Sequence, residues 1–130
     1  MADITPMISS DRQVIDGYGE GQFCVSGRWW VGAVIVLPDR TLPWSVGPDV
    51  SADMAALTAA DFAEIVAAEP KVELLLLGTG PTMRFVPKAL RQELRAAGIV
   101  VEFMDSRAVC RTYNILLAEG RRVAVAMLPV

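Results

Sequence analysis

Residues 102–122 read EFMDSRAVCRTYNILLAEGRR and join an apolar strand-like segment to a segment that carries several polar side chains. The first segment ends at Asp105, and helical spacing follows it. Residues three and four apart lie on one side of a helix, so Arg107, Arg111 and Asn114 share a face. This junction between a strand and a helix decides the fold of the second half of the chain.

The segments around the junction alternate between strand patterns and helix patterns. Continuous apolar runs predict buried strands, and a proline at the start with a glycine at the stop predicts a helix between two of them. We predict strands over 72–77, 99–104 and 122–128, with helices over 87–97 and 106–119. This order requires right-handed crossovers and therefore predicts parallel strands.

The first half of the chain has a different pattern. Short apolar runs separated by glycines over 13–38 predict an antiparallel meander, and a short strand is expected over 41–44. A capping sequence at Thr58 and Asp61 predicts a helix that ends near residue 68. We therefore predict an α/β fold in one three-layer domain. Its mixed central sheet has a parallel βαβαβ C-terminal part and an N-terminal antiparallel meander.

The domain is expected to span 13–130, and the polar, unpatterned residues 1–12 are expected to form a flexible leader. Although 53% of the residues are hydrophobic, no apolar run approaches the roughly 20 residues that a bilayer span requires. Residues 1–12 also lack the pattern of a secretory or mitochondrial targeting segment. These features predict a cytoplasmic, bacterial protein that is not integral to a membrane.

Charge is distributed unevenly along the chain. The formal net charge of −3 argues against nucleic acid as a partner. Residues 1–80 carry 4 basic and 11 acidic side chains, whereas residues 81–130 carry 8 basic and 4 acidic ones. Lys88, Arg91 and Arg95 on the helix over 87–97 therefore form either a positive patch or a solvated helix face.

The chain has no histidine, the commonest general base near neutral pH. Cys24 and Cys110 are far apart, so the spacing expected of a metal site is missing and both thiols are expected to be buried. We therefore expect no cofactor, no metal and no catalytic residue, which favours a function other than catalysis.

The predicted sheet brings two polar segments to one rim. Gly78, Thr79 and Gly80 follow one parallel strand, and Asp105 follows the next, so these residues should meet at the carboxyl ends of the strands. Accessible backbone amides between glycines suit an anion, and a tight exit from the strand is the alternative explanation. Asp105 either caps the following helix or pairs with Arg107 or Arg111.

Four segments resemble one protein family: 76–80, 101–105, 110–116 and 119–121, with 15–19 and Phe23 also fitting. The family is the domain shared by the third mitochondrial NADH:ubiquinone oxidoreductase (complex I) assembly factor and a vertebrate adipogenesis-associated protein. The resemblance covers roughly residues 14–129, and Val109 departs from the alanine found in many members. It implies a compact three-layer α/β domain without an established activity, whose mitochondrial branch assists assembly of a respiratory complex.

Two functions follow from these observations. The first is a protein-interaction module that assists assembly of a respiratory or other membrane complex and has a protein partner. The alternative is a binding protein or weak enzyme for a small anionic ligand. The candidate ligand or partner site comprises Gly78, Thr79, Gly80, Asp105, Arg107, Arg111, Thr112 and Asn114.

Overall fold

The computed structural model describes residues 13–46, 50 and 53–130, so the predicted leader over 1–12 lies outside the described residues. The described strands are β1 (Ile15–Gly19), β2 (Gln22–Val25), β3 (Arg28–Val31), β4 (Val34–Val36), β5 (Thr41–Pro43), β6 (Leu74–Gly78), β7 (Val100–Met104) and β8 (Val123–Met127). The described α-helices are α1 (Ala63–Val66), α2 (Lys88–Ala96) and α3 (Ser106–Ala118), and 3₁₀ turns lie at Met54–Ala56 and Ala59–Phe62.

A five-stranded sheet in the order β5-β4-β8-β6-β7 forms the centre of the molecule. β6 runs parallel to both β7 and β8, whereas β4 runs antiparallel to β5 and β8. The crossovers through α2 and α3 produce the parallel part, as strand-helix-strand connections do. The predicted mixed sheet with a parallel βαβαβ part is therefore confirmed.

The first three strands form a separate antiparallel sheet in the order β1-β2-β3. The meander predicted as one unit is therefore divided, because only β4 and β5 join the central sheet. β4 is buried at all three residues, whereas β3 is mostly exposed. Gly32, whose φ is 84°, turns the chain between the two sheets in a conformation that favours glycine.

The central sheet is covered on both faces, which produces three layers. On one face Leu75, Leu77 and Ala126 pack against Phe62 and Leu94, which belong to the segments between β5 and β7. On the other face the core contains Leu76, Val125, Met127, Val109, Tyr113 and Phe23. The alternation of side chains along each strand thus divides the core between α1 and α2 on one face and α3 with the small sheet on the other.

The helix predicted to end near residue 68 is shorter than expected. Within residues 58–68, only the 3₁₀ turn Ala59–Phe62 and the single turn α1 are helical. The buried Trp44 explains part of this difference, because its indole Nε1 donates to the Asp61 carbonyl at 2.8 Å. In a continuous α-helix the Asp61 carbonyl would instead accept a hydrogen bond from the backbone amide of residue 65.

β7 is less buried than predicted, because it forms an edge of the sheet. Val100 is 42% exposed, although the sequence pattern predicts a buried strand over 99–104. No helix within the described ranges is long and apolar enough to cross a membrane.

Candidate functional site

The predicted rim forms where β6 and β7 end. The Thr79 amide donates to the Met104 carbonyl at 2.9 Å, and the Ser106 amide donates to the Gly80 carbonyl at 2.9 Å. These bonds hold the segment after β6 against the start of α3. The structure therefore brings Gly78, Thr79, Gly80 and Asp105 to one end of the sheet, as the parallel arrangement predicted.

Thr79 is completely buried and its polar atoms are bonded within the chain. Its hydroxyl donates to the Thr82 carbonyl at 2.7 Å and accepts the Arg84 amide at 3.0 Å. The Arg84 guanidinium donates to the Thr79 carbonyl through Nε at 3.3 Å and Nη2 at 3.2 Å. Arg84 thus closes this end of the sheet over Thr79, an interaction that the sequence did not indicate.

Ser106 is the central side chain of the rim, a role that the sequence analysis did not assign to it. It is completely buried, its hydroxyl donates to the Leu128 carbonyl at 2.6 Å, and it accepts the Gly80 amide at 3.0 Å. It therefore joins the ends of β6 and β8 to the first turn of α3. Two features of the sequence could have indicated this contact: Gly78 ends one strand, and Ser106 directly follows the residue that caps the helix.

Gly78 leaves room for this arrangement. A Cβ at position 78 would lie 2.5 Å from the Met127 Cβ and 2.7 Å from the Ser106 hydroxyl oxygen. Contacts that short do not occur between real side chains, so the end of β6 requires glycine for close approach. Packing, rather than access for a ligand, accounts for this residue.

Asp105 caps α3. Its Oδ1 accepts the Ala108 amide at 3.0 Å, which satisfies one of the amides left open at a helix start. The ion pairs among the described residues are Arg40–Glu64 and Arg122–Glu73, both exposed. Of the two roles considered for Asp105, the structure therefore contains the cap and not an ion pair with an arginine of α3.

The outer face of α3 carries an exposed stripe formed by Arg107, Arg111 and Ile115, which we call the α3 stripe. These residues are spaced four apart, and the Ile115 side chain is 61% exposed. The Arg107 guanidinium lies 6.0 Å from the centre of the Tyr18 ring in β1. The α3 stripe thus combines two cations with one exposed aliphatic side chain.

Asn114 bonds to the edge of the small sheet. Its Nδ2 donates to the Ile15 carbonyl at 2.7 Å, and its Oδ1 accepts the Ile15 amide at 3.1 Å. The neighbouring Tyr113 hydroxyl donates to the Gln13 carbonyl at 2.7 Å. Asn114 therefore acts as a backbone partner for β1, which explains an amide side chain in the middle of a helix.

We expect Asn114→Ala to lower the free energy of unfolding by about 1–2 kcal/mol, because two backbone groups of β1 lose their partners. Hydrogen exchange of the Ile15 amide should accelerate more than exchange in the central sheet. Asn114→Asp is the matched variant, since it retains an acceptor for the Ile15 amide but places a second oxygen opposite the Ile15 carbonyl. Unchanged exchange at Ile15 in both variants would contradict this role.

Thr112 lies away from the rim, in a groove of about 680 Å³ between α3 and β7. The groove is lined by Glu73, Leu74, Leu76, Gly98, Val100, Glu102, Met104, Thr112, Leu116 and Arg121. The eight predicted site residues therefore occupy three places: the rim, the surface of α3 with its contact to β1, and this groove. They do not converge on one pocket.

Both cysteines are buried as free thiols, as predicted. Burial raises the pKa of the Cys110 thiol to about 11, and its sulfur lies 4.0 Å from the Met127 sulfur. The thiol is therefore protonated near neutral pH and is a poor nucleophile there.

Comparison with known proteins gives the family. The profile described as "Protein of unknown function (DUF498/DUF598)" matches residues 15–128. The chain belongs to the DUF498/DUF598 family. An uncharacterized protein of Rhodobacter capsulatus is 40% identical over 116 residues, which cover 89% of this chain and 84% of that protein.

Two further similarities extend this assignment. NADH dehydrogenase [ubiquinone] 1 alpha subcomplex assembly factor 3 of Mus musculus is 34% identical over 116 residues. This chain is 88% covered by that match but spans only 60% of the mouse protein. A crystal structure from Bordetella parapertussis is 36% identical, has a TM-score of 0.78, and matches 92% of this chain and 97% of that one. The family and its α/β fold are therefore those that the sequence resemblance implied.

Proposed function

We propose that this chain is a non-catalytic protein-interaction module that assists assembly of a respiratory or other membrane complex. The observation that carries the proposal is the match, over most of this chain, to a protein named as an assembly factor of NADH dehydrogenase. The family profile, which spans residues 15–128, includes the strands and helices that build the rim and the α3 stripe. We also propose that residues 13–130 form one α/β domain.

The geometry of the rim supports an interaction function over ligand binding. The amides of Thr79 and Gly80, the groups best suited to hold an anion, already bond to Met104 and Ser106. An anion would have to displace these bonds. The α3 stripe, in contrast, exposes cations and an aliphatic side chain without such a cost, and we place the partner contact there.

We further propose that the protein is bacterial and acts from the cytoplasm, where it would meet a membrane complex during assembly. The relative in Rhodobacter capsulatus supports a bacterial source. Fractionation of cells that express the chain with a C-terminal tag tests the location.

The function is tested by affinity capture under mild detergent followed by quantitative mass spectrometry. The unaltered chain should recover a subunit or assembly intermediate of a membrane complex. In the double variant Arg107→Glu/Arg111→Glu, we expect recovery to fall by about tenfold, because both cations of the α3 stripe become repulsive. Arg40→Glu, a single charge reversal near β5 that removes only the exposed Arg40–Glu64 ion pair, serves as the control and should recover the same proteins as the unaltered chain.

Three outcomes would contradict the proposal: reproducible recovery of no complex subunit, equal recovery by the double variant, or specific stabilisation by a small anion. The last is measured by thermal shift with phosphorylated metabolites and carboxylates. A shift that Arg111→Ala abolishes would favour the alternative function, in which the rim and α3 bind an anionic ligand.

A further inference from the structure

The outer edge of β7 carries backbone groups that are unpaired in the described structure. β7 pairs only with β6 among the described strands. The Val100 amide and the Met104 carbonyl bond on the β6 side at 3.0 and 2.9 Å. Because bonding alternates along a strand, Val101 and Phe103 direct their N–H and C=O groups away from the sheet. β7 can therefore accept a further strand.

One face of this edge is basic. Lys88, Arg91 and Arg95 are spaced three and four residues apart on α2 and lie on the same side of the helix. With Val100 and Val101 they line a cleft of about 290 Å³ between α2 and β7. These three cations, which the sequence presents as either a positive patch or a solvated helix face, thus lie directly beside the open edge.

Arg91 indicates what this cleft lacks. Its guanidinium lies 5.4 Å from the centre of the Phe103 ring, and its Nε is buried without a hydrogen-bond partner in the described structure. Buried donors without a partner are uncommon in folded proteins. The described ion pairs involve neither Arg91 nor the other two cations of the cleft. A carboxylate in the cleft would supply both an acceptor and a counter-charge.

The opposite face of the same edge combines apolar side chains with carboxylates. There the groove between α3 and β7 includes Leu74, Leu76, Val100 and Met104 together with Glu73 and Glu102, whose charges repel an acidic side chain on this face but not an apolar one. Side chains of an added strand point alternately to the two faces of a sheet. A strand beside β7 would therefore direct every second side chain toward the basic cleft and the others toward the groove.

We propose that β7 binds an extended peptide segment of a partner protein in which acidic and apolar residues alternate. The segment adds a sixth strand to the central sheet through the backbone groups of Val101 and Phe103. Its carboxylates face Lys88, Arg91 and Arg95, and its apolar side chains cover the groove side. The inference rests on the proposed protein-interaction function and specifies the chemistry of one partner segment.

Charge argues against a second copy of the chain as the occupant. Antiparallel pairing of two β7 edges in a continuous sheet places the same face of both copies on the same side. The cations of α2 would then meet the identical cations of the other copy. An acidic strand has no such repulsion, because its charge is complementary to the cleft.

The test is a titration of the purified full chain with fluorescent ten-residue peptides, followed by anisotropy. The first peptide alternates Glu with Val, Thr or Leu; the second has the same composition with its acids grouped at one end; the third replaces the acids by Lys. A single-stranded oligonucleotide is the fourth probe. We expect the alternating peptide to bind at least about tenfold more tightly than the other three and to lose affinity as salt rises.

Two variants locate the site. Lys88→Glu/Arg95→Glu should weaken binding by about tenfold, whereas Arg40→Glu, near the opposite edge of the sheet, should change it by less than about twofold. In NMR spectra of the unaltered chain, the amides of Val101 and Phe103 should shift and exchange more slowly when the peptide binds.

Several results would overturn the proposal: equal affinity for the grouped or lysine peptide, stronger binding of the oligonucleotide, or amide changes confined to residues outside β7. A dimer that forms through β7 and excludes the peptide would also overturn it. If affinity capture recovers complex subunits while no peptide binds, this surface is rejected and the proposed function stands. Peptide binding without recovered subunits would reject the assembly role alone.

Discussion

Gly78→Ala is expected to lower the free energy of unfolding by about 3 kcal/mol, because it overfills a tightly packed site. The added methyl group would lie 2.5 Å from the Met127 Cβ, 2.7 Å from the Ser106 hydroxyl oxygen and 3.2 Å from the Met127 Cα. Backbone and a buried hydroxyl limit relaxation at this point, so β6, β8 or α3 must move. Urea unfolding monitored by circular dichroism measures the change.

Gly17→Ala is the matched control for Gly78→Ala. A Cβ at position 17 would meet only the Trp29 ring at 3.8 Å, an ordinary contact distance. We therefore expect a change within about 1 kcal/mol for the control. Similar destabilisation in the two variants would show that the close approach at Gly78 is not the cause.

Ser106→Ala is expected to lower the free energy of unfolding by about 2–4 kcal/mol, the second large effect. The cause is that two buried backbone groups are left without hydrogen-bond partners. The substitution removes the acceptor of the Gly80 amide and the donor to the Leu128 carbonyl. These groups lie at the ends of β6 and β8, where Gly80, Leu128 and Ser106 are all buried, so bulk water does not readily replace the hydroxyl. Chemical unfolding provides the stability, and hydrogen exchange at Gly80 shows whether the loss is local to the rim.

Ser26→Ala provides the comparison for Ser106→Ala. The Ser26 hydroxyl also accepts a backbone amide, from Val14 at 3.0 Å, but it does so at an exposed position. Water can replace that bond, and we expect a loss below about 1 kcal/mol. A loss at Ser106 no greater than at Ser26 would refute the central role of Ser106 in the rim.

The sequence predicted the second half of the fold well, because apolar runs and helix signals there agree. Leu74–Gly78 is buried throughout and Pro87 lies directly before α2, as the pattern of residues indicated. The division of the first half into two sheets was not predictable in the same way. Strand partners depend on contacts between distant residues, such as Val34 with Met127, which no local pattern encodes.

The position of the rim was predictable from the sequence, whereas the side-chain contacts within it were less so. Parallel strands bring their carboxyl ends together, and this rule placed Thr79 beside Asp105 correctly. The roles of Ser106 and Arg84 arise from the direction in which each side chain points, and sequence spacing does not determine that direction. The ligand or partner role of the eight candidate residues stays a prediction.

The position of β8 affects how the protein forms during synthesis. β8 lies between β4 and β6 and is the last described strand in the chain. Until Val123–Met127 leaves the ribosome, the β4–β5 hairpin and the β6–β7 pair have no strand that joins them in one sheet. Completion of the core is therefore a late, long-range event, and until it occurs the apolar strands β4 and β6 lack their shared partner, which favours aggregation.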